Sequence, residues 1–426
     1  MKSFVINLIS DRESGLGIFT AADRVRLALE ASEISLRHFD VSEVKRPLEG
    51  VNLIHINPEG VMALMDRVPE FRYSVNLAYW NWELPHFPAS WLPALEWMDG
   101  VIVPSTFTAK SLRNAGIPVR VVPYCVKEIG ARSLRAELGF ARNDFVFYFT
   151  FDGRSFPQRK NPRAVLEAFE VARERFPQLR LLVKSVHFDE IEPCLRVWLG
   201  TKKNAPGVLW IDGLRGVDFM DSLMASCDAY VSLHGSEGWG LPIFDAFSLG
   251  LPTILTGYSG PMDFATRENS ILIDARLSPL KRGAGPYQVG APVALVDPAE
   301  AARAMVRLAS DPGLARNLGA RAKRDMTALS VQAVGQRLSA TLSEVVGELL
   351  AQPVFKPRAM LREEGGILAE EAADSVWSVE PGERWRLLRR GLYGVINRTL
   401  GCENRRQVVA LRKLEDRLRT LRPPSS

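Results

Sequence analysis

Cysteine is scarce in this chain: there are four among 426 residues, Cys125, Cys194, Cys227 and Cys402, widely spaced and with no C-x-x-C pair. That pattern excludes a disulfide scaffold, offers no zinc site, and implies a reducing compartment. Long apolar runs are also missing. The longest uncharged stretch of strong apolar content, Ala246 to Met262, is broken by glycines and prolines and reads as no spanning helix. The opening MKSFVINLISDRE has one lysine and an apolar run ended by Asp11 and Arg12, too short for a signal-peptide core, and reads as a first strand. Nor is there a chain-wide excess of one charge. Lys plus Arg number 54 against 49 Asp plus Glu, and the first 355 residues carry 39 of each. A nucleic-acid footprint over the whole chain is therefore disfavoured, and no nucleic-acid partner is expected.

What is there is a globular composition, 46% hydrophobic and 24% charged, which excludes disorder as the main state. The length exceeds one ordinary core and predicts two or three domains. Short apolar runs at Phe4–Ile9, Val51–Ile56, Tyr73–Tyr79, Gly100–Val103 and Val119–Val122 read as buried strands separated by helical spacing, as in Ala21–Ser32. The rhythm restarts at Phe145–Phe149, Leu179–Lys184, Val208–Ile211, Ala229–Leu233 and Thr253–Leu255. Alternation of this kind predicts an α/β chain with two doubly wound parallel sheets. The expected division is 1–125 for the first domain, 126–142 for a linker and 143–330 for the second domain. A crossing helix over 331–355 and a helical extension over 356–426 follow. Asp297-Pro298 and Asp311-Pro312 each start a helix.

Three segments carry chemistry. Gly15 and Gly17 stand in the first strand-to-helix turn, where glycine lets backbone approach an anion at a helix N-terminus; packing of the turn explains them equally. In GRSFPQRKNP, Arg154, Arg159 and Lys160 precede a helix opened by Asn161-Pro162. Cations there oppose the helix dipole and make sense against an external anion such as a diphosphate, the alternative being a solvated basic loop. In HGSEGWGLPIFDAF, Glu237 lies in a glycine loop and Asp245 eight residues later, on the first turn of a helix beginning near Pro242. Gly235, Gly238 and Gly240 leave backbone amides free to approach oxygen atoms, and with the two carboxylates they suit a polyhydroxylated ligand. Asp245 alone could be complementing the helix dipole.

The segment HGSEGWGLPIFDAFSLGLPTI resembles the E-x7-E signature of retaining glycosyltransferases of family 4, whose fold, GT-B, is two facing Rossmann-like domains. GRSFPQRKNP resembles that family's diphosphate motif, and the first-loop glycines match as well. Together these cover roughly residues 1–345. The resemblance implies a donor site of Gly15, Gly17, Arg154, Lys160, Glu237, Gly238, Trp239, Gly240, Leu241 and Asp245. In it Glu237 meets the transferred sugar, Asp245 the ribose, and Arg154 with Lys160 the diphosphate. It further implies transfer of a hexosyl group from a nucleotide diphosphate sugar to a glycan or lipid-linked acceptor, as in bacterial polysaccharide synthesis. Neither metal nor cofactor is expected, since the motif supplies cations and no DxD-like pair appears. Two departures stand out: Asp245 replaces the usual Glu, and Asn57 stands near a family histidine position, with His55 two residues earlier and readable as a core residue. AYWNWELPHFPASW gathers three of nine tryptophans within twelve residues beside Glu83, a candidate catalytic or acceptor-orienting group, or else a proline-braced packing loop. A GT-B nucleotide-sugar epimerase acting at C2, or a non-catalytic sugar-nucleotide-binding protein, are the other readings.

From Lys356 onward there are 15 Lys/Arg against 10 Asp/Glu, and from Arg384 the count is 12 against 3. In RWRLLRRGLYGVINRTL, Trp385, Leu388, Leu392, Val395 and Ile396 share one face. Such a segment suits an anionic membrane surface, giving a peripheral location on the cytoplasmic side, or packs against the enzyme body.

Overall fold

The computed structural model describes residues 5–12 and 17–351. Gly15 and the basic extension over 356–426 lie outside the described residues. The chain folds as the α/β alternation expects, into two six-stranded parallel sheets with helices. The first sheet comprises β1 (Val5–Ser10), β2 (Ser35–Asp40), β3 (Val51–His55), β4 (Val75–Tyr79), β5 (Gly100–Val103) and β6 (Val119–Val121), in the order β2-β1-β3-β4-β5-β6. The second comprises β7 (Phe145–Asp152), β8 (Leu179–Val186), β9 (Val208–Ile211), β10 (Ala229–Ser232), β11 (Thr253–Thr256) and β12 (Ile271–Ile273), in the order β12-β11-β10-β7-β8-β9. Their central strands are apolar runs because both faces are covered; Val146, Phe147, Tyr148 and Phe149 of β7 are all buried.

Four strands escape the sequence pattern. The strand β2 reads SLRHFD, an edge strand paired on one side only, with half-exposed alternate residues. The strand β12 is a three-residue edge. The remaining two, β13 (Ala275–Pro279) and β14 (Pro292–Val296), form an antiparallel hairpin between β12 and the helix Pro298–Ser310. The strand β13, ARLSP, is polar and mostly exposed, and β14, PVALV, is a short apolar run that follows a glycine- and proline-rich stretch, so neither stands out as a sheet strand.

The helix Val331–Ala351 returns to the first domain. It lies close enough on the helix Gly17–Glu30 that a Cβ at Gly335 would sit 2.4 Å from the Ala28 carbonyl oxygen. Arg337 donates to the Val121 carbonyl at 2.9 Å, and Arg120 pairs with Glu348 at 2.8 Å. One apolar core runs from Tyr79 and Tyr124 on the first domain through Trp239 and Phe244 on the second. The two domains are therefore packed face to face, and the loops at the C-terminal ends of their strands meet.

Candidate active site

In the second sheet the strand order reverses between β7 and β10, and loops leaving two such strands part in opposite directions and open a crevice. The loop after β7 carries Arg154, Arg159 and Lys160; the loop after β10 carries Glu237. Topology thus brings together residues almost eighty positions apart. The first loop is shaped by backbone strain. Pro157–Lys160 makes a single helical turn bounded by two left-handed residues, Phe156 at φ 50° and Asn161 at φ 54°. Non-glycine residues rarely adopt that conformation. Asn161 is held there by its side chain, which accepts from the Ala164 amide and donates to the Leu233 carbonyl. It caps the helix Pro162–Arg175 as its sequence predicts.

The turn points Arg159 and Lys160 at one carboxylate. Glu237, 5% exposed, pairs with Arg159 Nη1 at 2.8 Å and with Lys160 Nζ at 2.5 Å. Burial favours the neutral acid, but Arg159 and then Lys160 outweigh it and hold the Glu237 carboxyl at about 2. Burial in turn pulls the Lys160 ammonium below its ordinary value, against the attraction of Glu237. Arg159 also donates to the Ser236 carbonyl and to Ser155 Oγ. The Glu237 backbone is fixed by Ser259, whose Oγ accepts its amide at 2.9 Å from a residue at φ 70°, and by the Gly260 amide at 2.8 Å.

Arg154 stands apart from this cluster. Its exposed side chain forks onto Glu190 at 2.6 and 2.7 Å. Asp245 also faces elsewhere than Glu237's partners. The helix runs Leu241–Leu249, which puts Asp245 on its second turn, and its carboxylate pairs with Arg24 of the first domain. Burial raises the Asp245 carboxyl above its usual range against the pull of Arg24 and Lys127. Arg24 is 1% exposed and also donates to the Cys125 carbonyl at 3.4 Å, so this ion pair ties the domains.

The loop following β4 closes the site from the first domain. Trp80, Trp82 and Trp91 are all buried, and Trp82 Nε1 donates to the His86 carbonyl at 2.7 Å. Trp80 stacks on Phe87, and Trp91 bonds to Glu59. The tryptophans therefore brace the loop, while Glu83 projects from it to lie 3.7 Å from Arg159 and accepts from Tyr287 at 3.2 Å. Ser236 Oγ donates to the Glu83 carbonyl, and Ser105 Oγ to the Gly238 carbonyl at 2.6 Å.

These contacts explain two glycines. A Cβ at Gly238 would lie 2.0 Å from Asn81 Oδ1 and 2.8 Å from the Trp82 carbonyl oxygen, so the opposing domain demands glycine there. Gly240, at φ 84°, starts the helix at Leu241. Gly235 differs from the expectation of a free amide: it donates to the Arg159 carbonyl at 2.7 Å. Trp239 is a core residue against Tyr124, Phe244 and Phe264. Gly17 begins the first helix, and no atom of the described residues lies within 4 Å of where its Cβ would stand. Arg159 Nε, Trp239 Nε1 and Asn81 Oδ1 are buried without a hydrogen-bond partner among the described residues. Polar atoms rarely stay so unless something else binds them.

Two histidines complete the picture. His55 closes β3 in an aromatic nest with Tyr79 and Tyr124, its Nε2 3.2 Å from the Tyr124 hydroxyl. His234 follows β10, its Nε2 3.2 Å from the Tyr258 carbonyl and its Nδ1 3.1 Å from Ser232 Oγ. Burial lowers both rings to about 4, so both are neutral at pH 7. Asn57 precedes the helix Pro58–Arg67 as its N-cap residue. Sequence reasoning passed over His234, although its place before the glycine loop is a signal.

Residues 135–325 match the family model described as glycosyl transferases group 1. Among solved structures, Anabaena Alr3699/HepE in complex with UDP and glucose superposes with a TM-score of 0.58 at 15% identity, covering 80% of this chain and all of that one. Sucrose-phosphate synthase from Thermosynechococcus elongatus does so at 0.58 and 16% identity, covering 81% and 100%. No curated protein matches the chain. The fold shared with these structures is the two-domain GT-B arrangement.

Proposed function

We propose that this chain, whose residues 135–325 match the glycosyl transferases group 1 model, moves a sugar from a nucleotide diphosphate sugar to an acceptor hydroxyl. The observation that carries the proposal is the buried Glu237–Arg159–Lys160 cluster at the sheet's switch point, beside the N-terminus of the helix Leu241–Leu249. In this reading the bond between the anomeric carbon and the leaving phosphate oxygen breaks, the acceptor oxygen attacks the same face, and its proton passes to the departing phosphate. Configuration is retained, a feature supported by the resemblance of the Glu237–Asp245 segment to the retaining signature. As the diphosphate leaves it gathers charge, and cations fixed in a closed cleft stabilise that charge without reorganising. Lys160 and the helix amides serve it directly. Arg154, held among the described residues by an exposed ion pair, is free to exchange Glu190 for the diphosphate. No metal is required in this reading, because the cations hold its place.

Glu237 orients the transferred sugar and aims Lys160. Asp245 with Arg24 borders the ribose, and Glu83 faces the acceptor side. The relative crystallised with UDP and glucose supports a UDP-sugar as the first donor to try. The acceptor class proposed, a glycan or lipid-linked intermediate, rests on the resemblance.

The test is thermal shift with UDP-, GDP-, ADP- and dTDP-sugars, since a ligand of the native state raises its stability, followed by turnover of the stabilising donor. Lys160→Ala is expected to lower turnover by roughly a hundredfold or more while remaining folded. Near-normal transfer by that variant sinks the assignment. The basic segment from Arg384 is proposed to hold the enzyme on an anionic cytoplasmic surface. Truncation at residue 380 should release it from phosphatidylglycerol vesicles, and unchanged binding refutes that role.

A further inference from the structure

The hairpin β13–β14 belongs to no motif described above, yet its tip enters the cleft. Its base is joined to the site: the Ala294 amide donates to the Gly235 carbonyl at 2.8 Å. Its tip is not. Among residues 281–290 all but Pro286 and Tyr287 are exposed. Gly285 at φ 55° and Gly290 at φ 86° flank Tyr287, with no atom of the described residues near where a Cβ would stand.

Tyr287 is the tip's anchor, and its surroundings are specific. Its ring stacks on Trp82 at 5.2 Å and 23°, and on Phe156 at 4.9 Å and 13°, so it fills a slot between two aromatic faces. Its hydroxyl donates to Glu83 Oε2 at 3.2 Å, and the other oxygen of that carboxylate lies 3.7 Å from Arg159, which is paired to Glu237. Trp82 and Phe156 come from different domains. Phe156 is held there at a left-handed φ that only its surroundings can sustain.

We propose that the slot between Trp82 and Phe156, with Glu83 at its edge, is a binding site for one pyranose ring of the acceptor, and that Tyr287 occupies it as an internal stand-in. The match is chemical. A pyranose offers apolar C–H faces that lie on aromatic rings, and hydroxyls that donate to a carboxylate. Tyr287 offers one flat apolar body and one hydroxyl in the same arrangement. Burial, and then the Glu83 charge, push the phenol up from its ordinary value, so it remains a donor at neutral pH. A sugar must displace the ring, and its apparent affinity is reduced by the fraction of molecules whose slot is open. Removing Tyr287 lifts that reduction.

This inference rests on the transfer reading, so the experiment separates the two. Methyl α-D-glucoside, methyl α-D-mannoside and methyl α-D-galactoside are titrated into wild type and Tyr287→Ala, followed by tryptophan fluorescence. At least one glycoside should bind Tyr287→Ala tenfold or more tightly than wild type, and adding Glu83→Gln should abolish the gain. Equal binding to both proteins, or no binding to either, overturns the proposal. Should Tyr287→Ala not fold, Tyr287→Phe carries the test: it keeps the ring, loses the bond to Glu83, and should gain a smaller but measurable affinity. Unchanged affinity in a folded Tyr287→Phe likewise overturns it. Nucleotide-sugar thermal shift on the same proteins reports the donor site alone. Loss of donor binding in wild type would defeat the transfer reading, while a glycoside gain would still identify the slot.

Discussion

The two sheets reverse their order at equivalent places, and at each reversal a strand runs out toward a buried neutral histidine: His55 at the end of β3, His234 two residues past β10. There the likeness stops. Around His55 the first domain places rings, Tyr79 and Tyr124, and hydrogen-bonded neutral groups. Around His234 the second places a buried carboxylate and two cations. The same topology therefore makes an apolar wall on one side of the cleft and an electrostatic floor on the other. A switch point supplies a crevice; the side chains of its loops decide whether it can stabilise charge.

The sharpest way to break this contrast is Glu237→Gln. It removes the counter-charge that Arg159 and Lys160 share, leaving, among the described residues, only the Glu83 carboxylate 3.7 Å from Arg159, and removing one partner of a buried ion pair costs about 3–5 kcal/mol. Urea unfolding should show a loss of that size. A loss below about 1 kcal/mol, the worth of an exposed pair, would mean that the cluster is solvated.

Arg24→Met tests the pair that joins the two sides. It strands the Asp245 carboxylate in the interface, at a cost of about 3 kcal/mol at neutral pH. Because the orphaned acid can take a proton, the loss should shrink as the pH is lowered toward 5. A pH-independent loss would assign the effect to packing of the Arg24 stem instead.

Acid titration compares the histidines themselves. Both fold with ring values lowered to about 4 from 6.5. Between these values the unfolded chain binds protons that the native chain refuses, so stability should fall as pH drops from 6.5 toward 4, by on the order of a few kcal/mol in all. Glu237 acts lower: depressed from 4.5 to about 2, its contribution is complete above 4.5 and is lost only as pH falls toward 2. His234→Asn should flatten the upper part of the curve. An unchanged slope would show that His234 is protonated in the fold.

Much of this was legible in the residues. Strand positions in the centres of both sheets follow from apolar runs that only a doubly covered strand requires, and Gly100–Val103 and Val208–Ile211 coincide with their sequence limits. Asn161-Pro162, Asp297-Pro298 and Asp311-Pro312 open helices where cap chemistry says they should. What the residues did not disclose is orientation. Arg154 and Arg159 are five apart on one loop, alike in charge and reach, yet one is exposed to Glu190 and the other buried on Glu237. The turn between two left-handed residues makes that choice, and no local rule places Phe156 in that conformation. Gly238 reads as an open amide for a ligand but is small because Asn81 and Trp82 press on it from the other domain.

Two parallel sheets, a neutral first 355 residues and the loops in which charged chemistry gathers all follow from the residues in order. These depend on periodicity, capping and composition, which are properties of neighbours along the chain. Tertiary structure alone decided that Arg159 joins Lys160 at Glu237, that Asp245 is tied to Arg24, and that Tyr287 of an inconspicuous hairpin reaches Glu83. Those pairings join positions up to 221 residues apart. They form because packing the two domains face to face buries charges and hydroxyls that must then find partners, and only the assembled cleft fixes which ones are within reach.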